Sequence, residues 1–128
     1  MTILPTFTLM LLVATSVGMS ALAQTLLKMG AVSAAPAAGA ANALWAYATS
    51  PHILAGFALY GLGAVVWIFV LARLPLSVAY PFVGLGFIAT MLLGGLVLGE
   101  SLSAMRIAGT LMVAAGCVMV AMSAGEFA

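Results

Sequence analysis

Charge is what this sequence has least of. Only 4% of its 128 residues are Asp, Glu, Lys or Arg, just two of those are acidic, and neither acidic residue occurs before Glu100. Histidine and cysteine occur once each, at His52 and Cys117. Each absence excludes a class of function. A metal centre draws on several His, Cys, Asp or Glu ligands at fixed spacing, and no such cluster exists. A nucleophile-base pair would have to use His52, which stands beside a loop. There is no GxxxxGK phosphate loop and no basic patch for nucleic acid. No enzyme activity, metal or cofactor is expected, and no nucleic-acid partner. Cys117 has no second cysteine in the chain to pair with and reads as a small buried hydrophobe.

What fills the chain is apolar: 66% of residues are hydrophobic, which excludes an ordinary soluble domain. A helix needs ~20 mostly apolar residues to cross a bilayer, and four such segments are present. None alternates apolar and polar residues as a barrel strand would. The expected fold is an all-α membrane protein, one four-helix domain with spans at about 6–28, 53–73, 76–98 and 104–123. Ser20 to Ala23 resembles a signal cleavage site. No Lys or Arg precedes Lys28, however, and the apolar run exceeds a typical signal core, so the segment reads as a retained span.

The connections carry their own signals. Residues 31–50 are rich in Ala, Gly and Ser and read as a loop of about twenty residues, with a short interfacial helix around 42–48 marked by Trp45 and Tyr47. Helix 2 runs without a charge, with Tyr60 and Trp67 on one face. Helix 3 should kink at Pro81, which removes a backbone donor and meets the carbonyl of Ser77. With Gly84 and Gly86 beyond it, Pro81 forms a candidate hinge. Gly95 and Gly99 make a GxxxG pair, and Gly109 and Gly116 lie seven apart on helix 4. All four are candidate helix-packing positions, the latter pair toward another helix or another subunit.

Within helix 1, Ser16, Ser20, Gln24 and Lys28 recur every fourth position and form a polar stripe. Such a stripe in lipid wants a partner helix or a wet cavity. Lys28, near the helix end, reads either as a snorkelling interfacial anchor or as a functional cation. Glu100 reads as a turn carboxylate, with a Glu100 to Arg106 pair open. Lys and Arg are nearly balanced between the two sides, so both orientations stay open.

Ala23-Gln24-Thr25-Leu26-Leu27-Lys28, Leu74-Pro75, Val78-Ala79-Tyr80-Pro81, Leu85-Gly86-Phe87 and Gly99-Glu100 together resemble the four-helix members of the drug/metabolite transporter superfamily. The resemblance covers nearly the whole chain. That branch includes small multidrug exporters and, more similar still, the subunits that flip aminoarabinose-phosphoundecaprenol across the bacterial inner membrane. Multidrug members carry a membrane glutamate eight residues before the lysine; here that position is Ser20. Proton-coupled export of cationic drugs is therefore not expected.

The resemblance instead implies an inner-membrane flippase subunit for a polyprenyl-phosphate-linked sugar, working as a homodimer or beside a homologous small subunit. Its expected substrate contacts are Ser20, Gln24, Lys28, Trp67, Tyr80 and Glu100, with Lys28 attracting the phosphodiester. Two other readings stay open: an exporter of small organic compounds with altered coupling, and a non-transporting assembly subunit.

Overall fold

The structure, a computed structural model, describes residues 6–124; Glu126 and the rest of the C-terminal tail lie outside the described residues. Helix follows helix: α1 (Thr6–Thr49), α2 (Pro51–Leu71), α3 (Leu76–Leu96) and α4 (Ala104–Ala124). Each contains a stretch long and apolar enough to cross a membrane, namely Phe7–Ala34, Pro51–Leu71, Leu76–Leu96 and Ala104–Ser123. At a rise of ~1.5 Å per residue, helices of this length match a hydrocarbon core of ~30 Å.

The expected loop over residues 31–50 is instead helical. Half of that stretch is alanine, the residue that gives up least on entering a helix, and α1 continues through it up to a single break. The break is Gly39, at φ 67° and ψ 163°, a combination reserved almost entirely for glycine. There the chain reverses. The bare backbone of Gly30 lies against Ile53 and the Ser50 hydroxyl, so residues 31–49 leave the bundle and return to it as a helical hairpin.

Starts and stops follow local chemistry. Pro51 occupies the first turn of α2, where its missing N–H costs nothing. Pro75 opens α3, and the N–H of Ala79 donates to its carbonyl at 2.9 Å. Helix α3 runs through Pro81 as one element. Beyond Leu96, Gly99 adopts φ 66° and turns the chain so that the Glu100 N–H donates to the Gly94 carbonyl at 3.0 Å. Ser103 then caps α4, its hydroxyl accepting from the Arg106 N–H at 3.2 Å.

Lipid is as apolar as leucine, so these helices associate through close packing rather than burial from water. Helix α1 packs along α2 and touches α3, whereas among the described residues α4 meets α3 alone. The α1–α2 seam is built from small residues. Ala21 and Ala23 are buried, and a Cβ on Gly56 would come within 2.9 Å of Leu27 and 3.1 Å of the Ala23 carbonyl. Ser16 pins the seam by donating to the Gly63 carbonyl at 2.8 Å. Val13, Val70 and Ala79 form a further core cluster, with Trp67 and Phe82 against it.

The packing glycines divide. Gly99 lies in the turn beyond α3 rather than on a helix, and Gly95 receives Leu102 of that same turn. Gly99 is therefore no helix-packing position: with it in the left-handed region, α3 has already ended. Gly84 takes Cys117 of α4 against its backbone, and a Cβ on Gly86 would meet Val17 of α1 at 3.2 Å. Gly109 and Gly116 are exposed, and a Cβ at either would meet nothing within 4 Å; Gly109 lines the cavity between α3 and α4.

Candidate functional site

Between α1, α2 and α3 lies a cavity of about 370 Å³. It takes Ser20 and Gln24 from α1, Tyr60 and Trp67 from α2, and Tyr80 and Thr90 from α3. Ser20, Tyr60 and Gly86 stand near the middle of their spans, whereas Trp67 and Tyr80 lie within about a turn of the end of α2 and the start of α3, so the cavity runs from the middle of the bundle toward the α2–α3 turn. The walls are neutral: hydroxyl, amide, indole and phenol groups line it together with apolar side chains, and no Asp, Glu, Lys or Arg does.

Of the residues expected to touch substrate, Ser20, Gln24, Trp67 and Tyr80 are thus brought together. Lys28 is not among the residues lining this cavity; it is exposed on the outer surface of α1. Glu100 belongs to a second cavity, of about 640 Å³, between α3 and α4, where Arg106 also lies. The two charges approach to 4.0 Å and remain 40% and 56% exposed.

The polar stripe therefore divides in use. Ser16, only 3% exposed, spends its hydroxyl on Gly63. Ser20 and Gln24 make no side-chain hydrogen bond among the described residues, and neither do Tyr60 and Tyr80. Their donors and acceptors remain available to a ligand. Thr90 donates back to the Gly86 carbonyl at 3.0 Å, which leaves its oxygen as an acceptor.

Tyr60, Phe87 and Thr90 were not among the expected contacts. Their signal was present in the spacing. Tyr60 is seven residues before Trp67, and Tyr80, Val83, Phe87 and Thr90 follow steps of three and four along one face of α3. The hinge candidates serve as packing surfaces in this structure: Gly86 lines the cavity while holding Val17, and Gly84 holds Cys117.

No protein-family model matches the chain, and no solved structure matches it. Curated relatives do. The chain is 42% identical over 66 residues to a Pseudomonas fluorescens (strain Pf0-1) protein described as "probable 4-amino-4-deoxy-L-arabinose-phosphoundecaprenol flippase subunit ArnE", covering 52% of this chain and 57% of the relative. Proteins of the same description from Aeromonas hydrophila and Proteus mirabilis (strain HI4320) are 36% identical over 59 residues and 30% identical over 70. These matches cover 46% and 55% of this chain, and 52% and 62% of the relatives. The chain thus spans little more than half the length of the curated relatives it matches. All three are named as flippase subunits, none as an enzyme. Over about half its length, on an all-helical fold with four candidate membrane spans, this chain is a distant homologue of flippase transporter subunits.

Proposed function

We propose that the chain is a transporter subunit of the bacterial inner membrane that translocates a polyprenyl-phosphate-linked sugar, such as the aminoarabinose lipid named for its relatives. The observation that carries this reading is the uncharged, polar and aromatic cavity between α1, α2 and α3. A sugar ring offers hydroxyls to Ser20, Gln24 and Tyr80 and an apolar face to Trp67 and Tyr60. Such convergent polar groups in a largely apolar pocket are the usual form of a small-molecule site, and about 370 Å³ falls within the usual range. The prenyl tail stays in lipid. Lys28, outside the cavity, serves as an interfacial anchor.

The reading includes a second subunit. Among the described residues α4 meets only α3, and the exposed Gly116 further along α4 permits close approach of another helix. Rocking of α3 at Pro81, Gly84 and Gly86 against that partner would alternate access to the midplane.

The test is transport of a fluorescent short-chain prenyl-phosphate sugar in proteoliposomes, with and without a homologous subunit. Gln24→Leu keeps side-chain bulk and removes both amide functions, and is expected to reduce flipping by at least tenfold, on the order of one or two lost hydrogen bonds. Full activity of that variant would remove the cavity from the mechanism. Aromatic walls also suit organic cations. Protection of cells against quaternary ammonium compounds on overexpression would favour the exporter reading.

A further inference from the structure

A sugar phosphate is not neutral, and the cavity assigned to the sugar offers no cation. The phosphate lies one bond beyond the sugar, so its counter-charge has to stand next to that cavity. Lys28 fails this condition, because it lines neither cavity. Arg106 meets it. It lines the cavity between α3 and α4, which shares Phe87 and Thr90 with the neutral one. The two spaces therefore adjoin at those side chains, one reaching the centre of the spans and the other the Glu100 turn.

We propose that this α3–α4 groove is a binding site for the phosphate of a prenyl-phosphate lipid, with Arg106 as its cation. The assignment rests on the flippase reading and specifies where the charged part of the headgroup is held. The guanidinium is positioned for the task. Its Nη1 donates to the Ser101 carbonyl at 3.1 Å and lies 4.0 Å from the Glu100 carboxylate. Both contacts use one nitrogen. The Nε–H and the Nη2 hydrogens stay available among the described residues, and that edge of the fork matches two phosphate oxygens.

Glu100 lines the same groove, its carboxylate 4.0 Å from Nη1 rather than hydrogen-bonded to it. Its N–H is tied to the Gly94 carbonyl at 3.0 Å, and its carboxylate rests beside Gly94, where a Cβ would come within 3.2 Å of Oε2. It can restrain the arginine without taking the place of the anion. Thr110, on the same groove, adds a hydroxyl one helical turn beyond Arg106. Phosphate at Arg106 and sugar past Phe87 and Thr90 would leave the prenyl chain on the lipid side of α3 and α4.

The test is binding of farnesyl phosphate to the purified full chain in detergent, against farnesol and inorganic phosphate. Arg106→Gln should weaken farnesyl phosphate binding by at least tenfold, the scale of a lost charge-assisted contact. Lys28→Gln should stay within twofold of the parent. Arg106→Lys keeps a point charge without the fork and should fall between them, and it stands in for the glutamine variant should that one misfold. Farnesol binding should be indifferent to all three.

Equal affinity of the parent and both Arg106 variants would overturn the proposal, as would a larger loss at Lys28. Displacement of farnesyl phosphate by equimolar inorganic phosphate would assign the groove to free anions and overturn the lipid assignment. The readout involves no transport, so its failure is distinct from failure of the Gln24 flipping test.

Discussion

Gly84→Ala tests the contact that holds α4 to the rest of the protein. Cys117 rests on the bare backbone of Gly84, and the new Cβ would occupy the position of its sulfur and lie 3.1 Å from its Cβ. The two atoms cannot coexist, so one helix must move or Cys117 must leave its rotamer. Overpacking of this kind costs ~1 to 3 kcal/mol, and since among the described residues α4 contacts no helix but α3, the loss should appear as separation of α4. Replacing Cys117 by Ala removes the sulfur but keeps the Cβ, so Gly84→Ala/Cys117→Ala should recover most, not all, of the loss. Cys117→Gly should complete the rescue at the contact, with its own helix penalty of ~1 kcal/mol measured separately. The expected coupling is ~1 to 2 kcal/mol, within the range for residues in contact. Reversible unfolding in mixed micelles gives the energies, and maleimide labelling of the half-buried Cys117 reports whether α4 has opened. Additive losses in the double mutant, or unchanged labelling in Gly84→Ala, would refute the reasoning.

Other outcomes follow from single contacts. Ser16→Ala removes the bond to Gly63 while the carbonyl keeps its place in α2, so the cost should be ~0.6 to 1.7 kcal/mol, the span measured for interhelical bonds in membranes; a loss above ~3 kcal/mol in the same unfolding assay would mean that the α1–α2 seam rests on that bond far more than its geometry allows. Gly99→Ala forces a Cβ into φ 66°, at ~1 kcal/mol or more, and should slacken the Glu100 turn; faster backbone amide exchange at Glu100 would report it. Gly56→Ala meets Leu27 and the Ala23 carbonyl and should destabilise more than Gly61→Ala, which has nothing within 4 Å. Equal effects on melting temperature would count against the seam described. Loss of flipping in Gln24→Leu, without change in melting temperature, completes the set.

The four spans were legible because length and hydropathy are read directly against bilayer thickness. The starts of α2 and α3 and the turn after α3 follow from Pro51, Pro75 and Gly99, which act locally, whereas the first apolar span runs on to Ala34 rather than ending at 28. The hairpin was not legible, because an alanine-rich stretch with Pro36 and Gly39 suits a loop and a helix equally until its two ends are seen to meet at Gly30 and Ser50. The stripe was legible in part, and the error has a simple geometric source. Steps of four residues advance ~40° beyond a full turn at ~100° per residue, so Lys28 points about 120° away from Ser16. The stripe winds around α1: Ser16 is buried against α2, Ser20 and Gln24 reach the cavity, and Lys28 has turned outward. Arg106 was legible as an open partner of Glu100, but nothing in the spacing of α4 shows that the groove it lines shares Phe87 and Thr90 with the cavity between α1, α2 and α3.

The reversal at Gly39 separates chain length from helix phase. One residue inserted between Ser16 and Gly30 would rotate everything after it by ~100°, taking Ala21, Ala23 or Leu27 off the seam with α2. The same residue inserted beside Gly39 would only lengthen the tip, since the contact of Gly30 with Ser50 and Ile53 sets where α2 begins against α1. The hairpin end is therefore the place where an epitope or protease site can be introduced without altering the register of any span, and tags placed there would report which side of the bilayer the hairpin occupies.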